Sequence, residues 1–222
     1  MLLLEIYHIV SKAMTFNELK NKAKNYPLFK LEDVFKWFPK AKRSTTLNQL
    51  NFWTKKGYIG RIKRGIYKLS DFEIREPFLL ANFIYSPSYI SLETALNYYG
   101  IIPDIPFAVT SVTIQKTINF KVENYGSFFY SKIKPDLFFG FNLILADRKY
   151  GYNIAKPEKA LFDYLYLRAK EVKSAGGFIE ELRLSFPSNF HWQSFKKWAK
   201  LVSRKNRNFH NLIEILIKKY GK

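Results

Sequence analysis

The chain has no cysteine, only three histidines and two methionines in 222 residues, and 18 acidic residues against 37 basic ones. Without cysteine there is no disulfide framework, no thiolate metal site and no cysteine nucleophile. His8, His191 and His210 are scattered, so neither zinc nor any other metal is expected, and no cofactor motif appears. Glycine-rich phosphate loops are missing too: Gly176-Gly177 lacks the flanking glycines and the Lys-Ser/Thr of a P-loop. No apolar run approaches the roughly 18 residues that a membrane span requires. The opening Met1-Leu2-Leu3-Leu4 has no basic segment before it and is interrupted by Glu5 and His8, unlike a signal peptide. A soluble cytoplasmic protein is expected, with no membrane partner.

What the chain does have is positive charge, at +19 overall, and it is sorted. Residues 1–70 carry 15 Lys/Arg against four Asp/Glu, residues 71–178 carry 12 against 11, and residues 179–222 carry ten against three. A nearly neutral middle between basic ends points to a polyanionic partner met by particular modules.

The first seventy residues read as a small helical domain closed by a β-hairpin. Leu2, Leu3, Ile6 and Val10 space an amphipathic helix over 2–12. Thr15-Phe16-Asn17-Glu18 is a capping box that starts a second helix, running to about Lys24. Leu31, Val34, Phe35 and Phe38 define a third, stopped by Pro39. After Lys40-Ala41-Lys42-Arg43, Ser44 is the expected N-cap of a fourth helix ending at Gly57. Its core face is read as Thr46, Leu47, Leu50 and Trp53. Thr45, Asn48, Phe52 and Lys55 stand opposite, with Gln49 alongside. Two alternating runs, 58–62 and 65–69, flank Lys63-Arg64.

Helix, turn, helix and a basic hairpin is the order of a winged helix-turn-helix, and double-stranded DNA is the partner that order suits. One helix fits the major groove, where Asn and Gln pair bidentately with adenine. Asn48 and Gln49 are therefore candidate base readers. Lys42, Arg43, Ser44 and Thr45 sit at the helix start, and Arg61, Lys63 and Arg64 on the hairpin are placed for phosphates.

Residues 71–222 read as mixed α and β, so the fold class is α+β. A helix is expected over 76–85 and another from Leu92 to Tyr99, N-capped by Ser91. Runs at 109–114, 118–122, 127–133 and 138–145, broken by turns at Asn124-Tyr125-Gly126 and at 147–151, suggest a meandering antiparallel sheet. A further helix starts near Pro157 and Glu158, and Asp163 one turn on suits a buried structural acid. The basic stretch 179–222 closes the chain with two helices. Trp192, Phe195, Trp198, Leu201 and Val202 mark one, and Phe209, Leu212, Ile213, Ile215 and Leu216 the other.

Three stretches carry a family resemblance. They are Lys55-Lys56-Gly57-Tyr58-Ile59 through Arg64-Gly65-Ile66-Tyr67, then Pro87-Ser88-Tyr89-Ile90-Ser91-Leu92-Glu93-Thr94-Ala95-Leu96, then Ile154-Ala155-Lys156-Pro157-Glu158-Lys159-Ala160-Leu161-Phe162-Asp163. In that order, over roughly 30–170, the chain resembles the AbiEi family of bacterial abortive-infection antitoxins. The resemblance implies a winged helix that represses the operon's own promoter. It also implies a C-terminal domain that counters a nucleotidyltransferase toxin from the same operon, often without a stable complex.

Two other readings stay open at this level: a plain regulator with no toxin, and a nuclease. Pro135-Asp136 followed by Asp147-Arg148-Lys149 matches the loose PD-(D/E)xK pattern, in which two acids hold Mg²⁺. Asp147, however, precedes an expected turn rather than lying on a strand. Glu158 and Lys159 resemble a catalytic pair, but the positive end of a helix accounts for Glu158 better. No catalytic residue is assigned, and the protein is not expected to be an enzyme.

Overall fold

Thr15 and Glu18 cap each other as the sequence requires: the Glu18 amide donates to Thr15 Oγ1 (3.2 Å) and the Thr15 amide to Glu18 Oε2 (2.7 Å). They start α1 (Phe16–Ala23). The structure, a computed structural model, describes residues 13–146, 150–203 and 206–221, so the expected helix over 2–12 lies outside the described residues. Because the box satisfies two orphan amides at once, Thr15→Ala is expected to cost about 1 kcal/mol of stability, measurable as a lowered urea midpoint.

After α1 the chain forms β1 (Phe29–Lys30), α2 (Leu31–Trp37), α3 (Arg43–Lys55), β2 (Ile59–Lys63) and β3 (Ile66–Leu69). The strands make one antiparallel sheet in the order β1-β3-β2. Phe29 sits opposite Tyr67, which sits opposite Arg61; Lys30 sits opposite Ile66, which sits opposite Lys63. Leu19, Val34, Leu50, Trp53, Ile59 and Leu69 join Phe29 and Tyr67 in the core. Phe16 meets Trp53 edge-on at 5.6 Å between ring centroids.

The chain divides into two compact units at Arg75/Glu76, five residues beyond the expected boundary. The extra residues belong to the first unit because Asp71 pairs with Lys20 at 2.8 Å and Lys68 donates to the Phe72 carbonyl.

The second unit runs α4 (Pro77–Ile84), β4 (Ser88–Ile90), α5 (Leu92–Tyr98), β5 (Val109–Thr113), β6 (Ile118–Val122), β7 (Gly126–Lys132), β8 (Phe141–Leu145) and β9 (Gly151–Ala155). Four helices follow: α6 (Pro157–Arg168), α7 (Ala175–Glu181), α8 (Trp192–Ser203) and α9 (Arg207–Tyr220). The protein is thus mixed α+β, with two sheets.

The second sheet is not a simple antiparallel meander. Its order is β6-β7-β5-β4-β9-β8, with β5 parallel to β7 and β4 parallel to β9. Both expected hairpins form, β6–β7 and β8–β9, but each joins the sheet by its second strand. Burial explains the choice. β7 hides Phe128 and Tyr130 and lies inside, whereas β6 buries only Val122 and takes the edge. α5 and α6 pack together, α6 is flanked by α8 and α9, and α7 lies on α9. Leu201 points outward from α8, contrary to the expected apolar stripe.

Candidate nucleic-acid interface

Helix α3 follows its own apolar period. Thr46, Leu50 and Trp53 are buried and fix which face turns inward. On the opposite side of the helix, Ser44, Asn48, Asn51 and Lys55 form an exposed stripe. The helix begins at Arg43 with Lys42 at its N-cap, not at Ser44: Thr46 returns both its amide and its hydroxyl to the Lys42 carbonyl, which leaves Ser44 inside the first turn. Leu47 was expected in the core but is 41% exposed, because the buried stripe is filled by Thr46, Leu50 and Trp53 and Leu47 falls beside it.

The candidate contact residues do not behave alike. Lys42, Arg43, Ser44 and Asn48 are exposed and Thr45 is half-buried. The Arg43 guanidinium lies 4.4 Å from the centroid of the Phe35 ring, a cation–π contact that holds it at the helix entrance. Gln49 is not presented with Asn48. Its Nε2 donates to the Met14 carbonyl and its Oε1 is enclosed, so the amide braces α3 against the segment before α1 and cannot read a base. Asn51, not among the residues expected from sequence, takes the place beside Asn48, in the phase that Leu50 and Trp53 set.

The hairpin is shorter than the basic tip expected for it. Only Arg64 and Gly65 make the turn, Gly65 with φ 82°, and the Gly65 carbonyl accepts from the Leu31 amide at 2.9 Å. The tip is therefore anchored to the start of α2. Lys63 belongs to β2 rather than to the turn, half-buried, with its pKa lowered by burial and by Lys30 nearby. Arg61 and Arg64 are exposed, and no carboxylate among the described residues pairs with either, or with Lys42 or Arg43. Helix α3 itself carries no acid.

In the second unit the two longer resemblance stretches meet in the interior. Lys159 Nζ donates to Tyr89 Oη (3.0 Å) and pairs with Asp163, whose Oδ2 accepts from Tyr89 Oη and Ser91 Oγ, both at 2.9 Å. All four residues are fully buried, and the Phe139 and Phe162 rings lie 5.0 and 4.8 Å from the ammonium. Burial pushes Lys159 down and Asp163 up, and their mutual attraction opposes both shifts. Ser91 does not cap α5 with its side chain: the backbone turns through Leu92 at φ 57°, and the hydroxyl goes to Asp163. Asp163 is the buried structural acid that its position suggested.

Glu158 lies in the first turn of α6, at the positive helix end that its position suggested, and it makes a tertiary contact as well. Its carboxylate is buried and accepts from the His191 amide at 2.6 Å, tying α6 to the start of α8. Lys159 therefore pairs with Asp163 and not with Glu158. Asp136 stands exposed on a single 3₁₀ turn, while Asp147, Arg148 and Lys149 lie outside the described residues. Among the described residues no three His, Cys, Asp or Glu side chains group as metal ligands, and no helix is long and apolar enough to cross a membrane. Compared with known proteins, the chain matches no family model and no curated protein sequence.

Proposed function

We propose that this chain is a cytoplasmic, sequence-specific regulator that binds duplex DNA, with a winged helix as its first unit and α3 in the major groove. The observation that carries this reading is the solvent face of α3: Ser44, Asn48 and Asn51 in one stripe, free of acids and bracketed by Lys42, Arg43 and Lys55. Short amides that are exposed and make no hydrogen bond among the described residues are what base edges require, and the flanking cations meet phosphates. Arg61 and Arg64 extend the positive surface onto the hairpin.

The antitoxin reading rests on the resemblance. Its two longer stretches supply Tyr89, Ser91, Lys159 and Asp163, which form one polar centre on which the second unit is built. On this reading residues 76–222 counter a nucleotidyltransferase toxin, while the first unit represses the shared promoter. Co-expression tests it directly: the chain should rescue growth against a nucleotidyltransferase encoded beside it, and failure to rescue removes the antitoxin role while leaving DNA binding intact.

Salt dependence tests the DNA reading. Affinity for duplex DNA should fall linearly on a log–log plot, and Arg61→Ala with Arg64→Ala should reduce the slope by about two units if each meets one phosphate. An unchanged slope would place the phosphate-contacting surface elsewhere.

A further inference from the structure

We infer that the exposed face of α3 selects a run of A·T base pairs, with Leu47 against a thymine methyl group and Asn48 and Asn51 on adenine edges. The inference rests on the DNA-binding reading above and goes beyond it by naming the sequence class that is bound.

The chemistry on the helix decides between bases. Guanine shows two acceptors in the major groove and is read by Arg or Lys. The one guanidinium on α3, Arg43, is stacked on Phe35 at the helix entrance. Lys55 lies in the last turn, about 10 Å along the axis from Asn48. The middle of the face therefore holds no cation to seek guanine. It holds two carboxamides, the group that matches adenine N6 and N7 together.

Two apolar side chains of α3 are exposed, Leu47 and Phe52, and the aliphatic Leu47 is the one matched to a methyl group. A single exposed leucine is ordinary on a protein surface. This one adjoins Asn48, stands one turn before Asn51, and packs into no core although the helix has a well-filled one. Leu47, Asn48 and Asn51 fall within about 6 Å along the helix axis, roughly two base-pair steps. An apolar side chain at the edge of the two adenine-reading amides complements the methyl group that thymine alone presents in that groove. Lys40, Lys42, Arg43, Lys55 and Lys56 are all exposed around this face and α3 carries no acid, so the surrounding charge suits a duplex.

The test is selection of bound duplexes from a randomised library by the full chain, followed by base substitution in the selected site. A core of two or three contiguous A·T pairs is expected. Replacing the contacted thymine by deoxyuridine, which removes only the methyl group, should weaken binding about three- to fivefold. Leu47→Ala should bind the thymine and deoxyuridine duplexes equally, and Asn51→Ala should lose its preference for adenine at one position. The deoxyuridine comparison alters the DNA alone, so it does not depend on how any variant folds. A G·C core, or full affinity for every deoxyuridine duplex, would overturn the inference and leave the regulator reading standing. No duplex binding at any salt concentration would remove both.

Discussion

Asp163→Ala is expected to destabilise the second unit by about 3–5 kcal/mol. It would strand the Lys159 ammonium, fully buried among Tyr89, Phe139 and Phe162, with only the Tyr89 hydroxyl as a partner. Lys159→Met should be damaging for the mirror reason, because Asp163 would keep two hydroxyl donors but lose its counter-charge. The double variant Lys159→Met with Asp163→Asn is then informative. It removes both charges together, and the amide oxygen can still accept from Tyr89 and Ser91. Much of the loss should return, since removing a buried pair costs less than breaking it. Urea unfolding followed by near-ultraviolet circular dichroism measures all three. If the double variant is no more stable than the weaker single one, charge pairing is not what holds this centre. Such a centre uses no solvent-exposed atom, which fits a part of the molecule that organises helices and strands.

Asn48→Ala and Gln49→Ala, neighbours in sequence, should fail in opposite ways. Asn48 is exposed and makes no hydrogen bond among the described residues, so Asn48→Ala should not lower the unfolding midpoint and, Ala being the better helix former, should raise it slightly. Its loss should cost about 1–3 kcal/mol in operator affinity, a bidentate base contact. Gln49→Ala instead removes the donor to the Met14 carbonyl and should lower stability by about 0.5–1.5 kcal/mol. Direct discrimination among operator sequences should survive it. Fluorescence anisotropy on operator and scrambled duplexes, beside thermal unfolding, separates the two. On the antitoxin proposal, Asn48→Ala should derepress the promoter in cells yet still protect against the toxin, because that proposal gives protection to the second unit. If Gln49→Ala relaxes sequence preference while Asn48→Ala does not, α3 lies in the groove in another rotation, or not at all.

Much of this molecule follows from local chemistry. The Thr15–Glu18 capping box, Pro157 at the first position of α6, Pro39 beyond α2 and Gly57 after α3 mark helix ends through capping bonds, ring geometry and left-handed backbone. Each acts over three or four residues and is visible without a fold. The amphipathic periods of α8 and α9 and the two hairpins of the second sheet were legible for the same reason. The exposed stripe of α3 is nearly so: Thr46, Leu50 and Trp53 set its phase, but the apolar period alone does not show that they leave no room in the core for Leu47.

Tertiary structure decided what depends on residues far apart in the chain. β4 has three residues, all buried, and central strands covered on both faces show no alternation to read. Which strand of each hairpin enters the sheet turned on how much apolar surface it could bury against β5 and β4. Ser91 looked like a helix cap until Asp163, 72 residues away, took its hydroxyl. Gln49 looked like a base reader until Met14 took its amide, and Lys159 chose Asp163 over the adjacent Glu158. In every case a polar group was legible from its neighbours, but its partner was not. Most buried donors and acceptors find a mate, and only packing decides which one comes within reach.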